Sequence, residues 1–176
     1  MTSWDRLLAD PWFPFEGHLT VKVLAPPVVP EPARAGERAD DCDTCARRDE
    51  EFIWTDQVWA LRGVRDTSLP GVVLLVTRDH HDSFSDLPDP LLAALGPMTA
   101  RVERALLSLP DVGRVHVCRW GDGSAHFHQW FLPRPLGAMQ MRGSMLPMWL
   151  DLMEPLPAPQ VDDALAVIAA AMSEGP

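Results

Sequence analysis

Gly121-Asp122-Gly123-Ser124-Ala125-His126-Phe127-His128-Gln129-Trp130-Phe131-Leu132 is a glycine-rich turn that runs into a strand-like stretch. Side chains on a strand alternate between faces, so His126, His128 and Trp130 share one side and Phe127, Gln129 and Phe131 the other. The two phenylalanines turn the second side toward a core. Paired imidazoles beside a Gly/Ser turn suit metal ligation or nucleophilic work. They also suit a plain polar strand face that carries two histidines. Residues 115–120 read as the preceding strand and Gly121-Asp122-Gly123 as a tight turn, which predicts a hairpin.

Working upstream, residues 72–77 form a continuous apolar run of strand length that ends at Arg78-Asp79-His80-His81. Asp89 and Pro90 read as a helix cap followed by proline at the first helical position. Leu91, Leu92, Leu95, Met98, Val102, Ala105, Leu106 and Leu109 then fall on one helical face, with a kink or restart expected at Gly96-Pro97. Phe52-Ile53-Trp54 and Val58-Trp59-Ala60-Leu61 read as two short strands of a hairpin. Further upstream, residues 4–8 read as a short helix and residues 18–24 as an alternating strand, before Pro26, Pro27, Pro30 and Pro32 impose an extended connector. Downstream of Pro135 comes a methionine-rich stretch, Met139 to Met153, which reads as core or subunit contact, then a helix over 161–171. The chain divides into an arm (1–41), a core unit (42–135) and a C-terminal extension (136–176). The expected class is α+β.

The 176 residues are enough for one domain, and 47% hydrophobic content supports a packed core. A net charge of -10 argues against a nucleic-acid backbone binder but leaves a small phosphate ester open, because a few local donors hold such a ligand. No apolar run reaches membrane-spanning length and no signal-peptide pattern opens the chain, so the expectation is a soluble, cytoplasmic protein. Three cysteines, two of them three positions apart, do not make a disulfide framework.

Cys42-Asp43-Thr44-Cys45 is a knuckle that lets two thiolates face one metal. Zinc takes four ligands, and the other two are expected from His18, His80, His81, His116, His126 or His128. A reduced, metal-free pair is the alternative. A redox pair is disfavoured by the proline-rich connector before it. Arg119 reads either as a phosphate neutraliser or as an ordinary half-exposed strand residue.

In their order these pieces resemble the histidine-triad superfamily, and in particular its zinc-bearing branch related to galactose-1-phosphate uridylyltransferases. The pieces are the C-x-x-C, a strand ending in His80, an amphipathic helix, a strand, a Gly/Ser turn, H-x-H and Pro133-Arg134. The resemblance covers about residues 42–135. It implies an antiparallel sheet with a packed helix, zinc held by Cys42, Cys45, His80 (or its neighbour His81) and His126, and a homodimer. It further implies that His128 attacks the α-phosphorus of a nucleotide, forming a nucleotidyl-imidazole that is passed to water or another acceptor. Gly123 and Ser124 would hold phosphate oxygens. The family has histidine or glutamine two residues past the nucleophile, where this chain has Trp130. Indole offers one N–H and no group that titrates near neutrality, but it stacks on a base or sugar. Gln129 has the family's chemistry and the wrong strand parity, unless a bulge turns it. The implied function is a nucleotidyl hydrolase or transferase. The alternatives are a zinc-stabilised binding module and a biosynthetic enzyme with rebuilt chemistry beside Trp130.

Overall fold

The computed structural model describes residues 6, 8–17 and 19–174. Most of the helix expected over 4–8 lies outside these residues, as does His18. Strands β1 (Trp54–Thr55), β2 (Trp59–Gly63), β3 (Val73–Thr77), β4 (Val112–Cys118) and β5 (His128–Pro135) form one antiparallel sheet, ordered β1-β2-β3-β5-β4. The helices are α1 (Asp43–Ala46), α2 (Asp89–Leu107), α3 (Met145–Leu152) and α4 (Ala158–Ser173). The architecture is α+β, as expected.

Strand parity decides what each face does. Trp59, Leu61, Val73, Leu75 and Phe131 point to one face, where they bury with Leu95, Val102 and Leu106 of α2 and with Val161, Leu165 and Ile168 of α4. Gly63 continues that row: a Cβ there would lie 2.5 Å from Leu165 Cδ1, so the bare backbone lets α4 approach β2. The opposite face is split. Leu132 joins Leu69 and Val72, from the turn before β3, with Met141 and Leu146 of the C-terminal extension in a second cluster, so the methionine-rich stretch is partly core. The remainder of that face stays open.

Several expectations change. Residues 19–24 form no strand, and Val21, Val23 and Leu24 are exposed. Alternation yields a strand only where an edge accepts it, and the sheet ends at β1 and β4 without this segment. Helix α2 starts one residue early, with Pro88 as its cap and Asp89 already helical. It also runs unbroken through Gly96-Pro97. Pro97 lies on the exposed side together with Ala93, whose freed carbonyl faces water rather than core. The turn between β4 and β5 is not tight: the strands stop at Cys118 and resume at His128. The backbone of 123–127 finds other partners instead. Ala125 N donates to Ala35 O (2.9 Å), Ala35 N to Gly123 O (3.2 Å), and Phe127 N to His81 O (2.5 Å).

Candidate functional site

The loop 119–127 hangs the two histidines between the knuckle and the open sheet face. Cys42 caps the N-terminus of α1 and Cys45 lies within it. His80 follows the end of β3, and His126 precedes β5. One donor atom from each of these four residues lies within 4.8 Å of all the others. Cys42 Sγ is 3.4 Å from His126 Nδ1, Cys45 Sγ is 3.5 Å from the same atom, and Cys45 Sγ is 3.3 Å from His80 Nδ1. Tetrahedral zinc with metal–sulfur bonds of about 2.3 Å and metal–nitrogen bonds of about 2.1 Å sets its donors roughly 3.3–3.8 Å apart. These separations fit, and two thiolates with two imidazoles are a zinc donor set.

The surroundings orient the donors. His126 Nε2–H donates to the Thr77 carbonyl (2.8 Å), which leaves Nδ1 as a lone pair facing the cysteines. Burial holds His126 below the usual histidine pKa, against the pull of the Thr77 bond, so the ring is neutral at pH 7. Burial, then the neighbouring Cys42, push the Cys45 thiol up to about 11. Gly36 (φ 72°) passes close to Cys42, where a Cβ would sit 3.2 Å from Cys42 Cα. His80, not His81, completes the cluster. His81 Nδ1 lies 3.8 Å from an Asp86 carboxylate oxygen.

His128 starts β5 on the open face and is buried at its base. Its Nδ1 is 2.7 Å from the His126 carbonyl and its Nε2 is 2.8 Å from the Trp120 carbonyl. An imidazole with one N–H donates to one of these oxygens at a time, so the tautomer decides which contact is the hydrogen bond. Above it opens a cavity of about 670 Å³, whose walls include Arg62, Leu74, Val76, Gly123, Ser124 and Trp130. The Trp120 and Trp130 rings stand 6.2 Å apart at 59°.

The structure thus brings Gly123, Ser124, His128 and Trp130 to one cavity, with the metal cluster behind it. Two expected site residues lie elsewhere. Gln129 points to the helical face and accepts a bond from Thr99 Oγ1 (2.8 Å); β5 carries no bulge at that position to turn it. Arg119 donates to the Asp82 carbonyl (2.5 Å) and packs against Phe84 and Phe127, away from the cavity walls. Sequence reading missed Arg34, which grips both Asp82 carboxylate oxygens (2.9 and 2.7 Å) and donates to Gly121 O (2.9 Å), strapping the arm across the loop. Those bonds hold the Asp82 carboxyl below the usual range, with burial opposing them. It also missed Arg47 and Arg62 on the cavity wall. Arg62 was within reach of strand parity, once Leu61 is assigned to the core.

No family model matches the chain, and no curated protein matches it. Solved structures do. A zinc-bound histidine triad family protein from Mycobacterium smegmatis aligns with a TM-score of 0.56 at 17% identity, over 78% of this chain and 96% of that one. A hypothetical histidine triad nucleotide-binding protein from Sulfolobus tokodaii aligns at 0.57 and 13%, over 76% and 93%. A histidine triad protein from Bradyrhizobium japonicum aligns at 0.56 and 21%, over 70% and 92%. The fold is the histidine-triad fold. At these identities the likeness carries the fold alone. Within a histidine-triad fold, the cluster and cavity lie where β3, β5 and the loop before β5 converge.

Proposed function

We propose that this chain is a zinc-bearing member of the histidine-triad superfamily that transfers a nucleotidyl group, to water or another acceptor, through His128. The observation that carries the reading is His128 itself, a buried imidazole at the base of an open cavity, oriented by the His126 carbonyl with Nε2 toward the loop. In the proposed step the Trp120 carbonyl turns away, the single N–H stays on Nδ1 toward the His126 carbonyl, and the free Nε2 lone pair bonds to the α-phosphorus of a phosphoanhydride, phosphoramidate or nucleotide sugar. The bond from phosphorus to the leaving group breaks, and the leaving group departs with the electron pair and takes a proton from solvent. Attack of water or another acceptor on phosphorus then frees His128. Gly123 and Ser124 border the space for the phosphate oxygens. Zinc is held by Cys42, Cys45, His80 and His126; with no open position, its part is to fasten the knuckle to the sheet and fix the His126 backbone. The reading includes a homodimer, which sedimentation would test.

Trp130 stands where the family places its third polar residue, and the Trp120 carbonyl occupies Nε2. These two features favour a second reading, a zinc-stabilised binding module for a nucleotide or similar ligand. One experiment separates the readings. The protein is incubated with adenosine and guanosine phosphoramidates, dinucleoside polyphosphates and nucleotide sugars. Products are analysed, and intact mass is measured after parallel acid and alkaline quenches. A nucleotidyl adduct, or nucleoside monophosphate release that His128→Asn abolishes, supports transfer. Binding with neither adduct nor product, from zinc-loaded protein, supports the module.

A further inference from the structure

We infer that Arg62, backed by Arg47, receives an anionic group that the ligand carries beyond the atom facing His128. The inference rests on the reading that this cavity holds a phosphate ester. Register places Arg62 opposite Leu74, Leu74 opposite Trp130, and Val76 opposite His128. Arg62 therefore stands in the cross-sheet row of Trp130, on the open face. From a strand spacing of about 4.8 Å and a rise of about 3.4 Å per residue, its Cα lies roughly 12 Å from that of His128. An arginine side chain spans about half that distance, so a ligand whose phosphorus sits at His128 reaches the guanidinium with a group a few bonds further on.

Three arginines, Arg47, Arg62 and Arg65, and two carboxylates, Glu51 and Asp66, line this cavity, so cations are in excess. The carboxylate contact of Arg62 is Asp43 Oδ2 at 3.4 Å, and that same oxygen lies closer to Arg47, at 2.8 Å. Arg47 also reaches Glu51 at 3.5 Å, yet its Nε is buried with no hydrogen-bond partner. Burial, and then the charge of Arg47, hold the Arg62 guanidinium below its ordinary pKa, which is the signature of a cation whose neighbours do not fully compensate it. Arg65, at the same cavity, turns instead to Asp162 (3.0 Å). A planar fork with free N–H groups at a cavity wall matches a carboxylate or phosphate oxygen pair. In a chain of net charge -10 the bulk field opposes anions, so retention depends on such local donors.

The test is calorimetric binding of nucleoside monophosphate and diphosphate to zinc-loaded protein, for wild type, Arg62→Gln and Arg62→Lys. Wild type is expected to prefer the diphosphate about tenfold or more. Arg62→Gln should bring that ratio close to one, and Arg62→Lys should restore part of it as a point charge. Nucleoside phosphoramidates of glycine and of ethylamine repeat the comparison with a carboxylate in place of the second phosphate, and the larger ratio names the natural anion. A preference unchanged in Arg62→Gln, equal weakening of both ligands, or no binding of either would overturn the inference. Turnover of the ethylamine compound with no Arg62-dependent preference sinks this inference alone. An Arg62-dependent preference with no turnover of any substrate sinks the transfer reading alone.

Discussion

Gly36→Ala should loosen the metal site without touching a ligand. Gly36 adopts φ 72°, in the left-handed region, where a Cβ costs about 1–2 kcal/mol. The added carbon would lie 3.2 Å from Cys42 Cα and Cβ and 3.3 Å from Sγ, tighter than ordinary contact. Cys42 is 3% exposed and its sulfur sits 3.4 Å from His126 Nδ1, so it cannot retreat without lengthening a ligand distance. Metal bonds tolerate only about 0.2 Å of such displacement. Gly137→Ala supplies the control: Gly137 has φ 78° and nothing within 4 Å, so it carries the backbone cost alone. Gly137→Ala should melt about 2–8 °C below wild type and Gly36→Ala about 4–12 °C below, since each kcal/mol is worth about 2–4 °C at this chain length. The extra crowding at Gly36, about 1 kcal/mol, should weaken zinc about fivefold in competition with a chromogenic chelator. Equal zinc affinity in the two variants would refute the idea that this strand passes tightly over Cys42.

Three further outcomes follow from the packing and the protonation states. Because the Cys45 thiol is raised to about 11, zinc loading at neutral pH should expel protons and tighten as pH rises; Cys45→Ala should lose both metal and proton release, and a titration without proton release would count against thiolate ligation. Burial lowers the His116 pKa, and its Nε2 has no partner. The folded state therefore binds fewer protons than the unfolded one. The stability this confers is full above the unfolded value of about 6.5 and is lost as pH falls through the folded value. His116→Gln should flatten that part of the denaturation profile in zinc-loaded protein, and an unaltered profile would exclude His116 as its source. Phe127, fully buried with ring centres 6.3 Å from Trp59 and 5.4 Å from Phe84, should cost about 3–5 kcal/mol on truncation to alanine, read from urea unfolding. A loss under 1 kcal/mol would mean that this end of the core is loosely packed.

What the sequence made legible was what local periodicity encodes. The apolar run of β3, the helical spacing of α2 and the alternation about His128 each depend on neighbours within a few residues, and each is present as expected. Parity alone put His126 and His128 opposite Phe127 and Phe131. The metal set was legible for a different reason: only a few residue types ligate zinc, and the resemblance supplied their order. The strap was not legible. Arg34 meets partners 48 and 87 positions away, and nothing local marks an arginine in a proline-rich arm as the holder of a distant loop. The false strand over 19–24 shows the converse, since the alternation of Leu19, Val21 and Val23 is real but no sheet edge among the described residues receives it. Arg119 failed for a related reason. It was expected on the strand, but β4 stops at Cys118 and Arg119 begins the loop; a long cation goes where acceptors and aromatic faces are, and here these lie around Asp82 and Phe84.

The metal cluster and the cavity share more than proximity. His126 gives its Nδ1 to the cluster, its Nε2–H to Thr77 and its carbonyl to His128. Holding the His126 ring therefore also holds the peptide that orients the His128 imidazole, through one backbone segment rather than through a field. The arm reaches the same segment from the other side, since Ala35 pairs with Gly123 and Ala125, and Arg34 closes on Asp82 and Gly121. The loop 119–127 is thus fastened at its start by Arg34, in its middle by Ala35 and at its end by the metal donor. Trp120, whose carbonyl meets His128 Nε2, lies just before the first fastening. Freeing Nε2 as a nucleophile requires this peptide to turn away from the imidazole. Whichever reading of the cavity holds, the point where loop movement would uncover His128 is this one peptide.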